Sequence, residues 1–423
     1  MTPSKLFTLV IGILIVGSLG IAGFIYYYNR GSFGGAPGPE KDISVSTFLP
    51  FGNISKNNGS AGNQDGSGGE ISSNTNISEE GGQILQGTPL KQLVATPVSG
   101  FTSFAKGSST LVRYVDGEKG HVYELDLAQE QLVQKKITNT TIPKIKESFF
   151  VRKGEGVLLR YVSEFDAIQT FSAQIKKSSS TSDLGDLVGA FLPENISAIT
   201  PSPRGDQVFY LSSGSGAIGT VANSDGTKKS QVFDSTLSEW NASWVSDKVI
   251  LVQSKPSAIA QGIIYSMNPS TGALTKLLGG EYALQGLLSP DSSKMLVSML
   301  RNKKPNLYLY DIPGTSLVEL GLETLPEKCT WNTASVTIYC AVPKSIPTSN
   351  NGYPDTWYQG LISFNDSIWS IQAKSSEITF IADLESLSRL PFDVATIASS
   401  PTEEFIFLKN KRDGSLWSLS LKK

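Results

Sequence analysis

From about Leu90 to the end of the chain, short apolar runs rich in Val, Ile, Leu, Tyr and Phe alternate with turn residues. The runs are of strand length rather than helix length. A turn recurs ahead of many of them: Ser202-Pro203-Arg204-Gly205-Asp206, Ser246-Asp247, Ser289-Pro290-Asp291, Asn332-Thr333 and Ser400-Pro401. The first four starts are spaced 44, 43 and 43 residues apart. A period in the forties, built from a turn and strand-like residues, predicts β-propeller blades, because one four-stranded sheet cannot bury its faces until neighbouring sheets stack against it. Aligning the turn ahead of the second strand of each unit gives Ala105, Val151, Ser202, Ser246, Ser289, Asn332 and Ser400, hence seven units. The second strands are expected at 110–115, 157–162, 208–212, 249–253, 295–299, 337–342 and 405–408. The expected fold class is all-β, a seven-bladed β-propeller.

The last unit runs out of chain: after Leu421 only Lys422 and Lys423 remain, and its fourth, outermost strand is missing. The segment Leu90 to Val94 has no other assignment. It is expected to pair beside the terminal strand and close the ring, which satisfies an otherwise open sheet edge; the alternative is that it continues the segment before it.

The Ser-Pro-Asp turns, the apolar strands after them and turns such as Asn223-Ser224-Asp225-Gly226 and Asn268-Pro269-Ser270-Thr271-Gly272 resemble the WD40-like repeats of TolB-type propellers. They are also similar to the propeller domains that accompany prolyl-oligopeptidase-type enzymes. The likeness covers roughly residues 198–421. It implies a bacterial envelope protein that binds partner proteins, although the family's partner-binding residues match nothing here. True WD40 repeats fit worse, since Gly-His and Trp-Asp dipeptides do not recur and the chain has a single histidine.

Ahead of the propeller the pattern changes twice. Leu6 to Tyr28 is an uncharged stretch of 23 residues, long enough to cross a hydrocarbon core of about 30 Å at about 1.5 Å per residue. Residues 1–30 are expected to be a cytoplasmic stub and transmembrane anchor, with the competing reading of a cleaved signal peptide. Residues 31–83 are rich in Gly, Ser and Asn with few apolar side chains, and are expected to be a disordered linker. The flexible-chain relation gives it a reach on the order of 40 Å. The propeller is then assigned to residues 84–423. Lys5 ahead of the span and Arg30 behind it lean weakly toward a cytoplasmic N-terminus, with the propeller outside the cytoplasm.

Charge and rare residues exclude several chemistries. A balance of 36 basic and 38 acidic residues provides no field for nucleic acid, so none is expected as a partner. The one histidine, His121, rules out most Ser-His-Asp and Cys-His arrangements and any multi-histidine zinc site, and is read as structural. There is no Gly-x-Ser-x-Gly elbow, no series of Asp boxes and no Gly-rich phosphate loop. The expectation is therefore a protein that is not an enzyme and carries no cofactor or metal. Cys329 and Cys340 flank a hairpin turn at Ala334 and Ser335, a spacing that sets them opposite each other and predicts a disulfide.

The sixth unit breaks the period, with 68 residues from Asn332 to Ser400. The extra length lies mainly at 344–365 and carries Tyr353, Asp355, Trp357, Tyr358 and Phe364. Long loops on a rigid scaffold concentrate binding residues, and Tyr and Trp are favoured at hot spots; alternatively these aromatics fold back as a satellite core. Loops on the same face bring Arg301, Lys303 and Lys304 from the fifth unit and Lys411 and Arg412 from the seventh. Such a basic crescent could receive an acidic peptide or an anionic cell-wall polymer, and ordinary solvated loop charge is the alternative. The function expected from sequence is a non-catalytic protein-interaction or scaffolding module of the cell envelope. A glycan or small-molecule receptor comes second and a degenerate envelope hydrolase third.

Overall fold

The computed structural model describes residues 89–422 except 108, 130, 178–183 and 348–351. The expected anchor and linker lie outside the described residues. Among those described, no helix is long and apolar enough to cross a membrane.

The strands form seven four-stranded antiparallel sheets. Blades 1 to 6 occupy residues 98–136, 147–191, 196–235, 240–282, 285–319 and 329–383, each running from its first strand to its fourth in chain order. Blade 7 is completed from both ends of the domain. Its strands Val394–Ser399, Phe405–Asn410 and Leu416–Ser420 are joined by Leu90–Val94 at the outer edge, with Leu90 opposite Leu419 and Gln92 opposite Trp417. The unassigned Leu90 to Val94 segment thus supplies the missing strand. Val98 N–H then donates to the Gly414 carbonyl (2.9 Å), and Phe101 of blade 1 meets Phe407 of blade 7 edge-on at 6.2 Å.

Local chemistry explains why the turn motif recurs. The side-chain oxygen of the residue just after the first strand accepts the backbone N–H five residues on, where the second strand starts. Ser202 takes Gln207, Ser289 takes Lys294, Asn332 takes Thr337 and Ser400 takes Phe405, all at 3.0–3.1 Å. Short polar side chains that hydrogen-bond nearby backbone are the natural choice for such turns.

The core lies between the sheets. Apolar clusters join neighbouring blades, such as Phe209, Trp240, Trp244 and Val252 for blades 3 and 4. Polar clamps lock neighbouring blades together: Gly286 N–H donates to Gln253 Oε1 (2.7 Å), Trp331 Nε1 to the Leu287 carbonyl (3.1 Å) and Ser399 Oγ to the Trp331 carbonyl (3.0 Å). Cys329 and Cys340 are directly paired on adjacent strands and bonded, with Cα atoms 4.0 Å apart. His121 is buried, with Nε2 2.9 Å from the Thr141 hydroxyl.

Candidate functional site

The long connection of blade 6 leaves Thr337–Pro343 and returns at Asp366–Gln372, as its length predicts. It winds one short helix, Asp355–Tyr358, over a satellite core of Leu325, Ile346, Tyr353, Trp357 and Phe364. Trp357 is 0% exposed and Tyr353 1%, so these two aromatics are packing residues, as the folded-back alternative requires. Burial of such large rings supplies much of the loop's stability. The loop also reaches inward across blade 5. Asp355 Oδ2 accepts the backbone N–H of Ala258, in the corresponding loop of blade 4 (2.7 Å), while Lys411 of blade 7 lies against the Trp357 ring at 4.1 Å. The insertion therefore covers part of the ring's mouth on this face.

Beneath it sits a wholly buried ionic triad. Lys328 closes a 3-10 turn, Pro326–Lys328, just before the first strand of blade 6. Its Nζ lies 2.7 Å from Asp366 Oδ2 and 2.8 Å from Asp393 Oδ1, with all three side chains 0% exposed. Asp393 Oδ2 also accepts from Trp357 Nε1 (2.9 Å), Ser363 Oγ (2.9 Å) and Phe364 N–H (3.0 Å). Asp366 Oδ2 accepts Val394 N–H at 2.7 Å. Burial pushes the Asp393 carboxyl up, but Lys328 and these donors outweigh it and hold the group below its usual value. Asp366 has fewer donors, and burial pushes it up to about 6 against the pull of Lys328. The triad pins the insertion to blades 6 and 7.

Glu327, next to Lys328 in the same turn, is only half-buried and accepts a hydrogen bond from the Tyr358 hydroxyl. Burial pushes its carboxyl up to about 7, with Tyr358, Gln285, Lys328 and Lys411 opposing. Lys411 donates to the Trp357 carbonyl, and burial pushes its ammonium down to about 8 with Asp393 opposing. Lys409, two residues earlier, belongs to a different neighbourhood: it is also pushed down by burial, to about 8, with Glu147 of blade 2 opposing. A carboxylic acid, Glu327, and an amine, Lys411, that change charge near neutrality thus meet where the insertion joins the ring. Partly desolvated, charge-coupled groups of this kind mark candidate catalytic sites. Among the described residues no group of three or more His, Cys, Asp or Glu side chains is placed to hold a metal ion.

The residues expected from sequence divide into three sets. Tyr358 and Lys411 belong to this cluster, and Arg412, exposed beside it, donates to the Phe364 carbonyl at 3.3 Å. Tyr353, Asp355 and Trp357 build the insertion. Arg301 and Lys304 are tied to Glu281 (2.9 Å) and Glu323 (2.7 Å) at the blade 5 hairpin, where Lys303 is exposed. Glu327, Lys328, Asp366 and Asp393 escaped sequence reasoning. The signal for the first two was a charged pair set between apolar Leu325 and Cys329, immediately ahead of an innermost strand.

No protein-family model matches the chain, and a search of curated proteins returns no match. Solved structures show the class, a seven-bladed β-propeller. The chain is similar to a hydrazine synthase of Kuenenia stuttgartiensis at 13% identity and TM-score 0.51, covering 79% of this chain and 98% of that one. It is also similar to an oligogalacturonate lyase in complex with manganese, at 10% identity and TM-score 0.47, over 77% of this chain and 97% of that one. A third is a puromycin-hydrolysing peptidase of Mycobacterium tuberculosis, at 12% identity and TM-score 0.47, over 74% of this chain and 51% of that one.

The likeness to the hydrazine synthase chain carries fold, and it corrects two expectations drawn from the sequence: that the protein is a non-catalytic interaction or scaffolding module, and that it is not an enzyme. The chain matched at TM-score 0.51 is named as a synthase, so this architecture is no argument against catalysis. The missing Gly-x-Ser-x-Gly elbow and the lone histidine exclude particular nucleophilic mechanisms. They do not touch proton transfer by a carboxyl group with a raised pKa, whose signal is burial rather than a motif.

Proposed function

We propose that the protein is an acid–base catalyst of the cell envelope, with Glu327 as its proton-transfer group. One observation carries the reading. Glu327 is half-buried at the edge of the insertion, hydrogen-bonded by Tyr358, with a carboxyl pushed up to about 7. A general base works best when its pKa lies near the operating pH. Above about 7 the Glu327 carboxylate accepts a proton from a polar substrate held at the mouth of the ring. Below about 8 the Lys411 ammonium balances the negative charge that develops. The reaction type is proton abstraction with build-up of negative charge, common to eliminations and base-assisted hydrolysis.

The envelope placement rests on the Cys329–Cys340 disulfide, a bond of oxidising compartments, together with the uncharged Leu6 to Tyr28 segment. The side-chain-to-backbone bonds of the Ser-Pro turns support TolB-type, WD40-like repeats as the origin of the blades.

The test is turnover of a panel of oligosaccharides, esters and peptides, followed by mass spectrometry beside Glu327→Gln. The pH–rate profile is expected to be a narrow bell with limbs near 7 and 8, lost in the variant. Equal turnover by Glu327→Gln assigns the chemistry elsewhere.

A further inference from the structure

Arg152 lines three cavities at the end of blade 2 opposite the insertion, where first and second strands turn. They measure about 170, 470 and 460 Å³. The largest is a groove between blades 1 and 2 carrying five cations, Lys106, Arg113, Lys135, Arg152 and Lys177, against two carboxylates, Glu124 and Glu155. Arg113 is fixed in place: Nε lies 2.7 Å from Glu124 Oε2, Nη1 donates to the Gly154 carbonyl at 2.8 Å, and the guanidinium stacks 5.1 Å from the Phe104 ring. Arg152 donates to Ser224 Oγ (3.2 Å) and opens a run of left-handed residues, with φ of 51° for itself, 54° for Lys153 and 88° for Gly154. Blade 3 packs against this turn through Gly205, where a Cβ would stand 2.1 Å from Arg152 N.

The remaining cations are free to meet a ligand. Lys106, Lys135 and Lys177 are exposed, and among the described residues no carboxylate lies within ion-pair distance of them. Lys135 stands on the outermost strand of blade 1 and Lys177 at the end of the third strand of blade 2, whereas Lys106 ends the first strand of blade 1 and Arg152 directly follows that of blade 2, near the axis. Four strands at about 4.8 Å spacing make the groove roughly 15 Å long. Its charges are therefore spread along a line rather than gathered around one point.

We propose that this groove binds a short linear oligoanion, laid from Lys135 and Lys177 at the rim toward Lys106 and Arg152 at the inner mouth. Its anionic groups are carboxylates or phosphates, which Arg152 recognises through its guanidinium N–H donors. The site lies at the other end of the strands from Glu327 and does not depend on the chemistry proposed there.

Calorimetric titration of the full protein at low salt tests this, with a uronic-acid pentasaccharide and tripolyphosphate as probes and a neutral pentasaccharide as control. At least one oligoanion should bind, more weakly as salt rises, and about tenfold more weakly in Lys135→Glu, Lys177→Glu, a loss in the range of surface charge pairs. Lys303→Glu, exposed in a second-to-third-strand loop on the face of the insertion, should leave binding unchanged. The tighter of the two probes identifies the natural source as acidic sugar or phosphate chain. Should the charge-reversed pair melt early, Lys135→Gln, Lys177→Gln carries the same comparison. The proposal is overturned if neither oligoanion binds, if these variants bind as well as wild type, or if a single-stranded oligonucleotide binds more tightly than both probes.

Discussion

Replacing Lys328 with Met keeps most of the length of the side chain and removes the one ammonium between two buried carboxylates, 2.7 and 2.8 Å away. Breaking a buried pair from one side leaves uncompensated charge and costs about 3–5 kcal/mol, a large share of the roughly 5–15 kcal/mol that holds a domain folded. With a urea slope of about 3 kcal/mol/M, the midpoint should fall by about 1–2 M. The loss must also depend on pH, in a defined direction. Asp366 titrates at about 6 in the folded protein, above the roughly 3.9 of an unfolded chain. The native state therefore binds the extra proton, and this group's contribution to stability declines as pH rises from about 4 to about 6. Lys328 opposes the rise at Asp366 and pulls Asp393 down, so its removal moves both carboxyls up and carries the decline above pH 6. Urea unfolding of Lys328→Met should show its largest deficit at pH 8 and a smaller one at pH 5. Lys255→Met, which breaks the exposed pair with Glu239, should cost less than about 1 kcal/mol. A Lys328→Met deficit below 1 kcal/mol at pH 7, or one equal at pH 5 and pH 8, refutes the reasoning.

Deleting residues 1–83 should leave the melting temperature nearly unchanged, whereas deletion through Val94 strips the outer strand from Leu416–Ser420 and should lower it strongly or cause aggregation; equal melting temperatures contradict closure by that strand. Peptide mapping of unreduced protein from its native membrane should recover Cys329 linked to Cys340, and two alkylatable thiols would argue against an oxidising location. Replacing both cysteines with Ala should cost about 3 kcal/mol, the chain-entropy value for a closed loop of this size, at a sequence separation of 11.

The fold was legible because its cause is local and repeated. Ser202, Ser289, Asn332 and Ser400 each cap the start of a second strand, so the same turn chemistry appears wherever a blade does. Ring closure was legible by subtraction, blade 7 lacking one strand and Leu90 to Val94 lacking a partner. The site was less legible. Trp357 and Tyr353 look alike in sequence whether they face solvent or core, and only the packing against Leu325, Ile346 and Phe364 decides it. Asp366 and Asp393 stand 38 and 65 residues beyond Lys328 and meet it only once blade 6 has formed and blade 7 is stacked on it. Glu327 carries no motif, and its raised pKa comes from desolvation under a loop whose course the sequence does not spell out.

The most direct test of the catalytic reading is the titration of Glu327 itself. Carboxyl resonances of glutamate-labelled protein, followed by NMR from pH 4 to 9 and assigned by comparison with Glu327→Gln, should contain one signal that shifts with a midpoint near 7 and disappears in the variant. A Glu327 midpoint below 5, in the ordinary range of an exposed glutamate, would leave the site without a base poised at neutral pH and contradict the account.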